Sequence, residues 1–458
     1  MNLDNIHSVY FLGIGGIGMS ALARWFNANG YSVAGYDKTV TELTRSMQEE
    51  GIEIHYQDSA DNIPEKVKNE LDGSLIVYTP AIPKDLEEYN YFLDLGVTVY
   101  KRSQVLGFLT ESKYTIAVAG THGKTTTSSM IAHLLKSSGV NCSAFVGGIM
   151  TNYNSNILIG EKNEIIVVEA DEFDRSFLTL HPDVAIITAT DADHLDIYGS
   201  KDSLKDSFKD FIGRIKNDGK LFIEEKAAQE LDLVEFSHLS IRTYGINSGQ
   251  IKVTDLSIDD GKFKFKVSSK DFKDEFELAM PGYHNVSNAL VALSVVREFI
   301  SQQKKLVEGM KSYEGVKRRF EYIINNEDLV FIDDYAHHPD EIRALLESAR
   351  DMYPNKEITV VFQPHLFSRT RDFVDGFAES LAMADKIVLL DIYPAREKPI
   401  EGITSDVIKE KIKDKVVVRH HMEDVLEYFN SEKPEVLLTV GAGDIDTLVE
   451  PIKNKLLS

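Results

Sequence analysis

The stretch Tyr114-Thr-Ile-Ala-Val-Ala-Gly120-Thr-His-Gly-Lys-Thr-Thr126 decides how the chain is read. A short apolar run of strand type enters a glycine-rich turn, and the turn opens onto Thr125 to Lys136, a stretch that suits a helix. That order aims successive backbone N–H groups and a helix N-terminus at one point, the arrangement that holds phosphate. Lys124 then reaches the terminal phosphates of a nucleotide. Thr125 offers a hydroxyl to Mg2+, which takes one or two protein oxygens and fills the rest of its shell with phosphate and water. Gly120, Thr121, His122, Gly123 and Thr126 complete the expected ATP cradle. Valine at 118 breaks the first position of G-x-x-x-x-G-K-[ST], so the strand-turn-helix context carries the assignment; the alternative is a plain turn with an incidental lysine.

Downstream, Ile165 to Glu169 and Val184 to Thr188 read as further buried strands. Glu169 closes the first of them, where a parallel sheet collects ligands at its carboxyl edge, and an acid there can hold a metal that bridges phosphates. Asp171, Glu172 and Asp174 follow at once, so a solvated acidic loop is the other reading. Asp193-His194 repeats the placement after the next strand, and a neutral imidazole can ligate a metal. Phe263-Lys-Phe-Lys-Val267 alternates with period two behind an Asp260-Gly261 turn, and a helix is expected near Asn288.

Upstream, Val9 to Leu12, a helix past Gly18, Ser32 to Asp37 and Leu75 to Thr79 form a crossover-connected parallel sheet. Gly13-Ile-Gly-Gly-Ile-Gly18 follows the first strand and Asp37 ends the next, the pattern of a dinucleotide fold. Alone this indicates an oxidoreductase. A glycine turn grips any diphosphate, however, and a second complete nucleotide site downstream favours a UDP-sugar, with Gly13, Gly15, Gly16, Gly18, Asp37 and Thr79 as its candidate contacts. Beyond Arg319 the pattern resets, with strands Leu329 to Asp333, Ile358 to Phe362, Lys386 to Leu390 and Val436 to Val440. The expected fold is α/β in three domains: a Rossmann-like UDP-binding domain over 1–107, a P-loop ATPase-type domain over 108–315 and a Rossmann-like domain over 316–458.

Composition narrows the function. A formal charge of −23 on 458 residues disfavours nucleic acid and anionic membrane surfaces as partners, so phosphate sites must be local. Cys142, the single cysteine, can form no internal disulfide. The uncharged run Val9 to Ala23 is broken by four glycines and preceded by Asp4, which argues against a signal peptide and for a cytoplasmic protein without membrane insertion.

Five ordered motifs carry a family resemblance: Ala119-Gly-Thr-His-Gly-Lys-Thr-Thr-Thr127, Glu169-Ala-Asp-Glu172, Asp193-His194, Tyr283-His-Asn-Val-Ser-Asn288 and Arg318-Arg-Phe320. Together they resemble the Mur ligases of peptidoglycan synthesis, along essentially the whole chain. Phe11 to Ser20, Asp333-Asp-Tyr-Ala-His-His-Pro339 and Phe362-Gln-Pro-His365 with Ser368-Arg-Thr-Arg371 are most similar to the branch that acts on UDP-N-acetylmuramate and L-alanine. The resemblance implies an ATP-dependent ligase that activates the lactyl carboxylate as an acyl phosphate, with ATP and Mg2+ as cofactors and small molecules as its partners.

It also implies roles for residues. Thr125, Glu169 and His194 would serve the metals, and Asn285, Asn288, Arg319 and Asp334 would serve ATP, the last two from a third domain that closes. Arg369 and Arg371 would lie near the carboxylates. Apart from the resemblance, His338 or His365 is a candidate for taking the amine proton, since an imidazole titrates near the working pH. From the residues alone, Arg369 and Arg371 also read as a solvated helix face and Asn285 and Asn288 as helix caps, while Pro339 fits the first position of a helix. Two departures stand out: Thr190-Asp-Ala192 replaces the asparagine and glutamate common in relatives, and Lys209 stands near the spacing of the carbamoylated lysine of several relatives but a one-residue shift puts Phe208 there, so no carbamate is assigned. The competing readings are a recycling ligase that adds a tripeptide to the same sugar acid, a dinucleotide-dependent oxidoreductase and a nucleotide sensor without turnover.

Overall fold

A computed structural model describes residues 3–161, 164–191, 198, 200–259, 262–268, 273–395 and 397–458. The first sheet is built from β1 (Ser8–Leu12), β2 (Ser32–Tyr36), β3 (Glu53–His55), β4 (Ser74–Tyr78) and β5 (Val99–Lys101), in the order 3-2-1-4-5 with every pairing parallel. All five residues of β1 are buried, as expected of a central parallel strand covered on both faces.

The second sheet takes ten strands: β6 (Thr115–Ala119), β7 (Cys142–Met150), β8 (Ser155–Leu158), β9 (Ile165–Glu169), β10 (Val184–Ile187), β11 (Lys220–Glu224), β12 (Ser240–Gly245), β13 (Ile251–Asp259), β14 (Lys262–Ser268) and β15 (Lys273–Leu278). β6 lies between β9 and β10, parallel to both, so the ends of these three strands share one edge. In β14 the phenylalanines and Val267 are buried and the lysines between them are not, the period-two pattern of the sequence. The Asp260-Gly261 turn lies outside the described residues.

The third sheet has β16 (Glu321–Asn325), β17 (Val330–Asp334), β18 (Ile358–Phe362), β19 (Lys386–Leu389), β20 (Val416–Arg419) and β21 (Val436–Val440) in the order 16-17-21-18-19-20. It is parallel except for β16, which runs antiparallel to β17. No helix among the described residues is long and apolar enough to cross a membrane.

Three sheets match the three expected domains, but the chain divides into two compact units. One comprises 1–256, 265–277 and 287–314, the other 257–264, 278–286 and 315–458. The boundary expected after Gly107 falls inside the first of these units. The helix Arg102–Ser112 runs straight across it, and one apolar core continues from Phe11 and Trp25 through Leu106, Leu109 and Phe145 to Val168 and Ile187. Gly107 is a packing residue: a Cβ there would stand 2.5 Å from the Thr179 carbonyl oxygen. The boundary expected at 315/316 lies within a residue of the change of unit.

Candidate active site

The turn after β6 is shaped by two glycines that accept no side chain. Gly120 sits at φ +132°, where a Cβ would collide with the Thr188 hydroxyl and approach the Ala189 nitrogen to 2.8 Å. Gly123, at φ +79°, is the N-cap of the helix Lys124–Ser137, and a Cβ there would meet Asn288 Oδ1 at 2.6 Å. Thr121 N–H donates to the Ala189 carbonyl at 3.1 Å, and the Thr188 hydroxyl donates to the Ala119 carbonyl at 3.1 Å and to the His122 carbonyl, tying the turn to the end of β10. Thr125 and Thr126 are buried in the first helical turn, which carries no acidic residue to compete with an anion. The Thr121 hydroxyl is buried with no partner among the described residues, so a phosphate oxygen is a group it can serve.

Lys124 points back over this turn. Its Nζ donates to the Gly120 carbonyl at 2.8 Å and forms an ion pair with Glu172 Oε2 at 2.8 Å. Burial lowers the ammonium's proton affinity, but Glu172, Asp171 and Glu169 more than reverse this, and the group is held above the ordinary lysine value. Burial pushes the Glu172 carboxyl up while Lys124 pulls it back; the proton stays on nitrogen, where three carboxylates hold it, and the pair is ionic. Glu172 stood in the sequence as one acid of a loop and the end of a family motif, without a role of its own. Its partnership across 48 residues has no local signal.

Glu169, at the end of β9, accepts from Gly147 N–H at 3.0 Å, and a Cβ at Gly147 would crowd its carboxylate to 2.5 Å. Among the described residues no three His, Cys, Asp or Glu side chains gather to hold a metal alone. Asp193 and His194 lie outside the described residues. Phe208 is core and Lys209 pairs with Glu235 at 3.6 Å. Asn285 and Asn288 share the helix Tyr283–Val296; Asn288 lies against Gly123, whereas Asn285 Nδ2 donates to the Pro281 carbonyl at 2.7 Å, a local bond.

The first glycine loop is closed by its own acid. Gly13, at φ +85°, and Ile14 both donate to the Tyr36 carbonyl, and Thr79 Cγ2 would be 2.7 Å from a Cβ on Gly13. Asp37 Oδ2 accepts from Gly15 N–H at 2.7 Å and Oδ1 accepts from Thr39 N–H at 3.0 Å. Its carboxylate therefore shapes the loop. Gly16 caps the helix Ile17–Ala28 without a side chain, and Gly18 lies against Arg102, which the sequence reading passed over.

In the second unit, Asp334 accepts from Phe320 N–H at 2.6 Å and Ala336 N–H at 2.8 Å, and burial raises its carboxyl to about 6 against the pull of Arg319. The Arg319 guanidinium lies 5.3 Å from the Tyr335 ring centroid and forms no hydrogen bond or ion pair among the described residues. Arg369 is likewise unpaired there, but Arg371 is not: its Nε donates to Asp372 Oδ1 at 2.7 Å on an exposed surface. The two arginines, read together from sequence, thus differ in availability.

His338 has a structural role. It is the N-cap of the helix Pro339–Met352, its Nδ1 accepting from Asp340 N–H at 3.4 Å, with Pro339 at the first helical position. His337 is the imidazole kept neutral: burial lowers it, Glu341 opposes, and the charges of Arg369 and Arg319 lower it further. Its Nδ1–H donates to the Tyr335 carbonyl at 3.0 Å, leaving Nε2 as the acceptor, and its ring meets His365 edge-on at 6.0 Å.

Comparison with known proteins places the chain in a family. The chain matches the Mur ligase family catalytic domain over 8–114, the Mur ligase middle domain over 118–296 and the Mur ligase glutamate ligase domain over 318–443. It is 48% identical over 462 residues to the UDP-N-acetylmuramate--L-alanine ligase of Cytophaga hutchinsonii, covering 99% of this chain and 97% of that one. The crystal structure of the UDP-N-acetylmuramate-alanine ligase of Thermotoga maritima superposes with a TM-score of 0.82 at 30% identity, over 98% of this chain and 99% of that one. A murein peptide ligase of Psychrobacter arcticus shares the fold, with a TM-score of 0.69 at 23% identity over 98% of both chains. The chain belongs to the Mur ligase family.

Proposed function

We propose that this chain joins L-alanine to the lactyl carboxylate of UDP-N-acetylmuramate at the expense of ATP, in peptidoglycan precursor synthesis. The observation that carries the reading is the buried Lys124 ammonium, pinned by Glu172 above a turn that admits no side chain at Gly120 or Gly123. A carboxylate resists an amine because oxide is a poor leaving group. Transfer of the γ-phosphoryl group to a carboxylate oxygen replaces that oxide by phosphate. Lys124 and the turn's N–H groups bear the charge shared in that step, which is chiefly a matter of position and electrostatics.

Gly120 to Thr126 with Asn288 hold ATP; Asn285, Arg319 and Asp334 keep the ATP role that the family resemblance gives them. Thr125 and Glu169, with His194, are the groups for Mg2+, which supplies charge neutralisation of the phosphates when bound. The Gly13–Gly18 loop takes the UDP diphosphate, with Asp37 and Thr79 shaping it. Arg369 is the available guanidinium for the amino acid's carboxylate. The attacking amine gives up a proton, and His337 Nε2 is the neutral base that burial provides. Residues 1–107, 108–315 and 316–458 serve the UDP-sugar, ATP and the amino acid in turn. An oxidoreductase would direct Asp37 to a ribose, yet Asp37 is bonded to Gly15 and Thr39.

The test is phosphate release with ATP and UDP-N-acetylmuramate while L-alanine, glycine, L-serine or the murein tripeptide is supplied singly. Release dependent on L-alanine supports the reading, and release dependent on the tripeptide alone refutes it in favour of the recycling ligase.

A further inference from the structure

Between the helix Ile17–Ala28, the helix Arg102–Ser112 and the ends of β7 and β9 lies a cavity of about 180 Å³. Ala21, Leu22, Leu106 and Phe145 form an apolar floor, and Arg102, Glu169 and Asp171 form its polar side. The Arg102 guanidinium makes no hydrogen bond and no ion pair with any described residue. Glu169 and Asp171 act on it only through space, and desolvation lowers its hold on a proton. Gly18 is what admits it: a Cβ there would stand 3.0 Å from Arg102 Cδ and 3.2 Å from Nε. A half-buried guanidinium without a partner carries a desolvation cost, and an anion entering the cavity offsets it.

We propose that Arg102 binds the lactyl carboxylate of the UDP-sugar acid and presents it for phosphorylation, an inference that rests on the ligase reading above. Four anionic groups enter the reaction, and of these the amino acid's carboxylate has Arg369. The triphosphate has its own cation in Lys124. A diphosphate has no apolar portion to match Leu22 and Phe145. A lactyl group carries a methyl beside its carboxylate, so the methyl meets the floor while the carboxylate meets the guanidinium in a two-bond contact. Glu169 opens onto the same cavity, which brings the acid to the end of β9, the strand next to the phosphate turn. Arg102 then cancels repulsion between the carboxylate and the phosphoryl group it attacks, and Gly18 is retained in the loop to make room for it.

The test is calorimetric titration of the full chain with UDP-N-acetylmuramate and with UDP-N-acetylglucosamine, which is the same UDP-sugar without the lactyl group. Arg102→Met is expected to weaken UDP-N-acetylmuramate about 10- to 100-fold and to leave UDP-N-acetylglucosamine within about twofold, with Arg102→Lys between wild type and Met. Gly18→Ala, which displaces Arg102 without removing it, is expected to reduce the same discrimination and covers the case of an unfolded methionine variant. Equal losses for both ligands would mean a diphosphate contact and overturn the proposal, as would no loss for either. A wild-type chain that binds UDP-N-acetylmuramate and releases phosphate with L-alanine while Arg102→Met binds normally sinks this inference alone. A wild type that does neither sinks the ligase reading with it.

Discussion

The molecule contains two strand-glycine-helix loops of nearly the same plan, and they are finished oppositely. At Gly13–Gly18 a carboxylate closes the loop: Asp37 takes the Gly15 amide, and the cation against Gly18, Arg102, comes from a separate helix. At Gly120–Lys124 an ammonium covers the loop, and its carboxylate partner, Glu172, holds the ammonium and leaves the amides alone. A loop that only grips a diphosphate needs shape. A loop that moves a phosphoryl group needs a positive charge fixed where negative charge gathers in the transition state. Damage to the first loop should therefore appear in substrate affinity, and damage to the second in turnover.

The largest effect should follow from Lys124→Met. Steady-state kinetics should show kcat falling about a thousandfold with the KM for UDP-N-acetylmuramate nearly unchanged. Because the change strands Glu172 in a buried site, Lys124→Met with Glu172→Gln should recover thermal stability but not activity. Recovery of activity in the double variant would erase the distinction between the loops. Gly120→Ala comes next. With φ +132° and Thr188 in the way, it should lower kcat/KM for ATP by about a hundredfold, whereas Gly13→Ala should act on the UDP-sugar alone. Asp37→Asn should raise the KM for UDP-N-acetylmuramate about tenfold with kcat held, since the loop loses a charged acceptor for Gly15. A fall in kcat without a change in KM would place Asp37 in the chemistry instead.

The smallest effect concerns stability and belongs to the first domain. Glu88 is fully buried, accepts from the Tyr10 hydroxyl at 2.6 Å, and burial raises its carboxyl to about 7. The folded chain thus binds this proton more tightly than the unfolded chain does. The stabilisation is complete below the ordinary glutamate value and is lost as pH rises through about 7. At about 1.4 kcal/mol per pH unit the swing is on the order of 3 kcal/mol. Neighbouring His55, its Nε2 3.5 Å from Glu88, is lowered by burial and shifts stability the other way, so the difference between wild type and Glu88→Gln reports Glu88 together with its effect on His55. Urea midpoints at pH 5 and pH 8 should show wild type losing ground to Glu88→Gln at the higher pH; parallel midpoints would count against a protonated Glu88.

How much was legible follows the same physics. Strands Ile165–Glu169, Ile358–Phe362 and Val436–Val440 were read with their exact ends, because a parallel strand covered on both faces is an unbroken apolar run. The three-residue strands β3 and β5 are too short to show a period, and the antiparallel edge strand β16 hides in a mixed sequence. Gly107 resembled a linker because glycine is also what a close helix contact demands. At the site, the phosphate turn was plain because its chemistry is local. Glu172 and Arg102 were not singled out, since one acid in an acidic loop and one arginine opening a helix acquire meaning only from what the fold brings beside them. His338 was chosen over His337 although the proline after it signals a cap; what distinguishes the rings is the partner of each Nδ1, a backbone amide for His338 and a backbone carbonyl for His337.

The most direct test uses UDP-N-acetylmuramate labelled with oxygen-18 in both oxygens of its lactyl carboxylate, with ATP and L-alanine. If the phosphoryl group passes from the Lys124 cradle to that carboxylate, each phosphate released carries one labelled oxygen and the amide keeps the other. Release of unlabelled phosphate, or label recovered in AMP, would contradict the account.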